Sequence, residues 1–447
     1  MESNGLASFA NTIYRWGLKG GLGILDQGLY SGVNFLLSIL LARWVSPEMY
    51  GAFSAAYSIF LLISTAQVAL IAEPMSIFGA NKYRQNVVSY LNYLLRIQWI
   101  GSLLLASLFV LFALFSANDV LRDAMIGMAI ALPFILFYWY LRRAFYIELQ
   151  SGMAMAASLV YSISLILLIL LIQFVDHVAS VMAYLAMALS SLVASIFTLK
   201  RLGVRFFGEG ADEVNLNPRT VGVELWDFGK WILPAYIAGW FTSLSYPFFI
   251  SILLNTQSAG AFRAIQNLFL PFQQFLAAIT LLALPWLARQ KSDNGNVKLF
   301  AVTQIVAWIV GAVATVYCLG IMIFRHEIMV FLYTNKFYSS FDSLVIYLGI
   351  STLLGSVPLI LGLGLRVLGQ PNVILWSKGC AALFAFLFGI PLIWGFQMNG
   401  VLFSLMGSVL IEAFVLLFYY FRIKNLTKPL SLWWLAERIF ENRKEDK

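Results

Sequence analysis

The chain has 447 residues and a formal net charge of +8, with 61% hydrophobic residues, only 11% charged ones and a mean hydropathy of +0.83. A soluble protein needs about a quarter of its residues charged to cover its surface, so this composition excludes a water-soluble monomer and predicts a polytopic membrane protein. Its two cysteines, Cys318 and Cys380, both lie in apolar runs and supply no disulfide framework. His177 and His326 have no neighbouring Cys, Asp or Glu at metal-ligand spacing, so no metal site is expected.

In chain order, residues 1–19 come first. They place Leu6, Phe9, Ile13 and Trp16 at helical spacing beside Arg15 and Lys19. That pattern suits an amphipathic helix in the membrane interface and not a cleavable signal. An α-helical span needs about 20 mainly apolar residues. Twelve such segments follow, at 20–44, 51–72, 90–115, 124–147, 154–174, 178–198, 226–254, 258–287, 300–324, 342–365, 372–395 and 397–420. They are too long, and alternate too little, for transmembrane strands. The expectation is an all-α protein with an N-terminal six-helix lobe (20–198), a charged linker (199–225), a C-terminal six-helix lobe (226–421) and a basic tail (422–447). In the tail, Leu430, Trp433, Trp434 and Leu435 suit a second interfacial helix.

Orientation follows from the basic residues. With the N-terminus inside, the inner segments and tail hold 21 of the 29 Lys and Arg, and the outer segments hold four. The positive-inside rule therefore places both termini in the cytoplasm of a cell with this protein in its plasma membrane. The basic excess meets anionic lipid headgroups, and no nucleic-acid partner is implied.

The central linker divides the spans six and six, and an internal repeat supports the division. Gly51-Ala-Phe-Ser-Ala-Ala-Tyr-Ser-Ile-Phe-Leu61 and Gly260-Ala-Phe-Arg-Ala-Ile-Gln-Asn-Leu-Phe-Leu270 share six of eleven positions, and each follows a Ser-Ile-Leu-Leu run. Because each half has an even number of spans, the halves should be related by an axis along the membrane normal, with a substrate site between them.

Ionisable groups cost about 2.5–3.5 kcal/mol at the bilayer centre and so tend to face a cavity or a partner. At about 100° per residue, Asp26, Gln27, Tyr30, Ser31, Asn34 and Ser38 of the first span fall within an arc of about 140°. A water-accessible cavity is the functional reading of this stripe; hydrogen bonding to a neighbouring helix is the other. The eighth span repeats the pattern, with Gln274 and Asn267 within about 40° of Arg263. Pro271 and Pro285 there, and Pro234 and Pro247 in the seventh span, are expected to bend their helices. Arg96 and Lys230, with Arg142, Arg143, Arg366 and Lys378, lie toward the inner side, where they would attract a multivalent anion or simply snorkel to water. Asp26, Glu73 and Glu412 are the ion-coupling candidates, Asp26 foremost, because a partly desolvated carboxylate titrates nearer neutrality. Glu73 precedes Pro74, however, and that pair also reads as the end of a helix. Enzyme signals are weak: Gly222 to Trp231 departs from a phosphate loop in both spacing and its final residue.

Several stretches carry a family likeness: Leu25-Asp26-Gln27-Gly28, Ser31 to Phe35, Leu40 to Gly51 through Trp44-Val45-Ser46-Pro47, Ala72-Glu73-Pro74-Met75, Leu141 to Tyr146, Phe228 to Trp231, and Gly260 to Asn267. On these residues the chain resembles the multidrug/oligosaccharidyl-lipid/polysaccharide (MOP) exporter superfamily, in its bacterial polysaccharide flippase (Wzx-type) branch. The resemblance implies two six-helix lobes around a central cavity that opens alternately inward and outward in the bacterial inner membrane. The implied cargo is an undecaprenyl-pyrophosphate-linked oligosaccharide, moved from cytoplasmic to periplasmic leaflet for surface polysaccharide synthesis, O-antigen or exopolysaccharide. No cofactor is implied beyond H+ or Na+ as a coupling ion. Implied partners are the lipid-linked glycan, membrane lipids, and a polysaccharide polymerase with its chain-length machinery. The expected cargo-binding residues are Arg263, Asn34, Gln27, Tyr30, Asn267, Gln274, Arg96 and Lys230. Related lipid II flippases carry cavity arginines; Arg263 resembles one, but the equivalent place in the first half holds Ser54, and two of their fourteen spans are missing here. Two other functions fit the length: a cation-coupled multidrug antiporter, which would favour an acidic pocket, and a membrane glycan polymerase or ligase, which would need a large outer loop.

Overall fold

The computed structural model describes residues 2–116, 118–147, 150–175, 178–202, 217–333 and 336–426, and every regular element among them is a helix. Most of the central linker and the expected tail helix at Leu430–Leu435 lie outside the described residues, as does His177. Helix α1 runs Glu2–Trp44, so the backbone of the expected interfacial stretch continues straight into the first span. Ser46 then stops and restarts the chain. Its φ of −63° and ψ of 153° are extended, its hydroxyl accepts from the Met49 N–H at 3.2 Å, and Pro47 supplies a first helical position that lacks an N–H anyway. Helix α2 (Pro47–Ala80), α3 (Arg84–Leu114), α4 (Asp119–Ile147), α5 (Ser151–Phe174) and α6 (Ser180–Leu202) follow. Helix α7 begins at Pro218, capped by Asn217, and bends by 59° between its Pro218–Leu244 and Tyr246–Leu253 parts.

Thr256–Ile323 is continuous helix except at Gly295 (φ 74°), which separates α8 (256–294) from α9 (Gly295–Ile323). The connection there is a kink at the non-helical Gly295, and helical structure passes both Pro271 and Pro285 without interruption. After the short α10 (Arg325–Leu332) and α11 (Lys336–Ser339) comes α12 (Leu344–Val367). Gln397 (φ 52°) divides the last stretch into α13 (371–396) and α14 (398–426). Nine helices among the described residues are long and apolar enough to cross a membrane, and the bent pair makes up to ten. The twelve expected spans all fall mainly on helix; the lower figure takes Asn372–Lys424 as one span, although the non-helical Gln397 divides it, and leaves out 256–294.

Glu73-Pro74 does not end a helix. A π-helical turn at Val68–Ala72 lets the Glu73 N–H reach back to the Val68 carbonyl, and α2 continues to Ala80. Two more π turns, Trp240–Leu244 and Ala385–Gly389, likewise precede prolines, Pro247 and Pro391. Proline removes one ladder hydrogen bond, and a widened turn just before it takes up the mismatch.

By contacts the chain divides into a first unit, 1–240 with 244–264, and a second, 241–243 with 265–447. This is a grouping by packing and is separate from the pseudo-symmetric lobes. In the first unit α4 packs on α3, α2 and α6, while α1 packs on α5. One end of this unit is filled by Met75, Tyr90, Leu94, Tyr140 and Phe145. The two copies of the repeated motif meet here. A Cβ on Gly51 would stand 1.6 Å from the Thr256 carbonyl oxygen, and one on Gly260 2.5 Å from that of Pro47. Only glycine fits this backbone approach, the close packing that membrane helices use in place of a hydrophobic driving force. In the second unit, Phe272, Leu287, Phe300, Val310, Ile360 and Tyr420 form the core.

Candidate functional site

The polar stripe of α1 turns into the first unit. Asp26 is fully buried, and Arg142 of α4 chelates it: Nε lies 2.9 Å from both carboxylate oxygens and Nη2 2.7 Å from Oδ2. Tyr146 and Ser158 each donate a further hydrogen bond to the same carboxylate. Tyr138 in turn bonds Ser158 at 3.0 Å. The remaining edge of the Arg142 guanidinium donates to Gln27 Oε1 at 3.0 Å, and its face lies 4.9 Å from the Tyr30 ring centroid. The charge of Asp26 is thus met by the opposite charge of Arg142 and by two hydroxyl donors, the condition under which a buried ion is tolerated.

Deeper along the same face, the Tyr30 hydroxyl accepts from Trp139 Nε1 at 2.6 Å, and its ring packs 5.2 Å from that of Tyr161. Tyr161 donates to Asn34 Oδ1 at 3.1 Å, and Ser38 bonds Tyr50 at 2.8 Å. Of the stripe, Asp26, Tyr30 and Ser38 are buried, Asn34 is half-buried and Gln27 is exposed. The helix-to-helix alternative therefore describes Asp26, Tyr30 and Ser38 in this conformer.

The other expected residues are placed as follows. Arg263 is half-buried in the first unit, its guanidinium 6.0 Å from the Tyr57 ring centroid, and it forms no ion pair among the described residues. Lys230 bonds Asp227 at 2.6 Å one turn away on α7, and Arg96 is exposed on α3. Glu73, half-buried, accepts a hydrogen bond from Tyr236 of α7. In the second unit, Asn267 is fully buried and donates to the Tyr333 hydroxyl at 3.3 Å, while Gln274 is exposed. Glu412 receives a hydrogen bond from Lys378 at 3.1 Å. Outside the spans, the turn residues Lys82 and Tyr83 both bind Glu224 of α7. The hydrogen bond to Glu224 raises the Lys82 pKa, and burial raises that of Tyr83.

Sequence reasoning missed Tyr57, Tyr146, Ser158 and Trp139. One signal was available: Tyr138, Arg142 and Tyr146 stand four residues apart, so they line one face of α4. Nothing local pairs that face with Asp26, 116 residues away.

A profile of the family described as polysaccharide biosynthesis protein matches residues 19–291. No curated protein matches the chain in sequence. Among solved structures, it is similar to the inward-facing conformation of a multidrug resistance MATE family transporter of the MOP superfamily, at 15% identity and a TM-score of 0.70, covering 91% of this chain and 96% of the other. A MOP superfamily transporter from Pyrococcus furiosus, described as having a binding pocket of reverse polarity, gives 15% identity and a TM-score of 0.64 over 92% and 95%. The Vibrio cholerae MATE transporter VcmN gives 14% identity and a TM-score of 0.62 over 93% and 97%. The fold is thus the MATE-like one, and the chain belongs to the polysaccharide biosynthesis protein family.

Proposed function

We propose that this transporter is a flippase that moves a polyprenyl-pyrophosphate-linked oligosaccharide from the cytoplasmic to the periplasmic leaflet of the bacterial inner membrane. The observation that carries the reading is the state of the membrane charges. Among the described residues Arg263 keeps a half-buried guanidinium with an aromatic neighbour and no paired carboxylate, whereas Asp26 has its charge engaged by Arg142. An unneutralised guanidinium favours an anionic cargo such as a pyrophosphate, which it grips bidentately. A carrier of organic cations needs an open carboxylate in its cargo site instead, and Asp26 is not free to be one. Membership of the polysaccharide family supports the glycan half of the cargo.

The multidrug antiporter reading has one observation in its favour, the likeness to MATE transporters, and at 15% identity that likeness concerns the fold. The Pyrococcus furiosus relative, described with a pocket of reverse polarity, illustrates how one fold hosts opposite pockets. If transport is ion-driven, we assign the coupling to Glu73, whose carboxylate meets the neutral Tyr236 hydroxyl, rather than to Asp26.

The test is reconstitution in proteoliposomes, with the lipid-linked oligosaccharide scored by its accessibility to a glycosidase in the outer leaflet. Wild-type protein should expose the glycan. Arg263→Ala should slow exposure by about 10- to 100-fold, the worth of a charge-assisted hydrogen bond. Organic-cation efflux without glycan translocation would establish the antiporter.

A further inference from the structure

Most tyrosine hydroxyls inside the first unit are engaged. Tyr30 accepts from Trp139, Tyr138 bonds Ser158, Tyr161 donates to Asn34, and Tyr140 and Tyr184 donate to the Leu91 and Phe53 carbonyls. The Tyr57 hydroxyl on α2 forms no hydrogen bond among the described residues, and neither does the Arg263 guanidinium beside it on α8. Both are within reach of a ligand. Neither the Tyr57 oxygen nor any Arg263 nitrogen is among the sealed polar atoms that lack a partner, as the Tyr90 hydroxyl is. A polar group left without a partner inside a membrane protein is costly, so two adjacent open ones mark a place for water or an anion.

The fold holds the pair in place. Gly51 and Gly260 clasp α2 to α8, and Arg263 and Tyr57 follow them within two turns. The guanidinium carbon lies 6.0 Å from the Tyr57 ring centroid. Phe53, at 6.1 Å and nearly parallel, and Phe60, at 5.6 Å, pack on the same ring and restrict its rotation. Ser54, which stands in α2 where Arg263 stands in α8, is buried and gives its hydroxyl to the Tyr50 carbonyl at 2.8 Å. The site is therefore one-sided, with a cation from α8 and a neutral donor from α2. A ligand made of acceptor oxygens answers both, since phosphate takes a guanidinium bidentately and also accepts from a phenol. Because the two donors come from different helices, a second phosphoryl group next to the first is the part that meets the phenol.

We propose that Tyr57 is the specificity-determining partner of Arg263: its hydroxyl donates to one phosphoryl group of a polyprenyl pyrophosphate while the guanidinium grips the other. This rests on the anionic-cargo reading above and adds to it a preference for pyrophosphate over monophosphate. The experiment measures binding of geranyl pyrophosphate and geranyl monophosphate to the full chain in phosphatidylcholine nanodiscs by calorimetry, with empty nanodiscs as blank. Wild type should hold the pyrophosphate about tenfold more tightly, the worth of one hydrogen bond. Tyr57→Phe keeps the ring and should erase that preference, leaving monophosphate binding and the melting temperature unchanged. Arg263→Ala should weaken both ligands. A wild type that binds neither or does not tell them apart, a Tyr57→Phe variant that keeps the preference or loses both ligands equally, or displacement of both by phosphatidylglycerol in the disc would each overturn the assignment. Failure of glycan translocation alongside a preference that Tyr57→Phe erases would defeat the flippase reading and leave this site standing. Intact translocation with a preference indifferent to Tyr57→Phe would do the reverse.

Discussion

Asp26 and Glu412 are each paired with a basic residue of another membrane helix, and the two pairs are built differently. Asp26 is fully buried, and Arg142, with a side chain 13% exposed, grips it through three close contacts while two hydroxyls complete its shell. Glu412 and Lys378 are 26% and 34% exposed and share one hydrogen bond at 3.1 Å. The difference lies in what happens when one partner goes. A sealed charge that loses its counter-ion has no water to fall back on, whereas a half-exposed one does. The first pair ties α1 to α4 and α5; the second is an adjustable contact between α13 and α14.

Breaking the tie should give the largest effect. Asp26→Ala leaves the Arg142 guanidinium without a counter-ion and should cost about 3–5 kcal/mol, read as a fall in the melting temperature of purified protein. Arg142→Lys keeps the charge but loses the two-pronged grip and the stacking on Tyr30, so a loss of about 1–3 kcal/mol is expected. If Asp26→Ala melted like wild type, the contrast between the pairs would vanish. Glu412→Gln should lie within about 1 kcal/mol of wild type, and a larger loss would show that this pair is also sealed.

The smallest effect belongs to the Lys82–Glu224 pair, whose lysine is exposed. Its hydrogen bond raises the Lys82 pKa above 10.5. Lys82 therefore contributes in full below pH 10.5, and that contribution is lost as pH rises through the higher folded value. The stability difference between wild type and Lys82→Met should be constant through neutrality and disappear in strong alkali.

Hydropathy made the membrane helices legible, because a span must be long and apolar whatever it packs against. The repeat at Gly51 and Gly260 was legible as a likeness, though not as the backbone contact that explains both glycines. Helix continuity was less visible. Pro74 reads as a stop, yet a π turn carries α2 past it, and the polar run before Gly295 stays helical up to the kink at that glycine. In the site, periodicity found the face holding Asp26, Tyr30 and Asn34. It left open whether that face meets water or another helix, since both demand the same polar stripe. In this structure Asp26 meets Arg142, and no local pattern links residues so far apart in the chain.

The most direct test of an engaged Asp26 beside an anion-seeking Arg263 is glycan translocation by the Asp26→Asn, Arg142→Gln double variant in proteoliposomes. That variant removes both charges and keeps a hydrogen-bonding pair, so the account predicts a folded protein that translocates lipid-linked oligosaccharide at close to the wild-type rate. A folded double variant that no longer translocates, or that loses its response to an imposed H+ or Na+ gradient, would make Asp26 a working coupling group and contradict it.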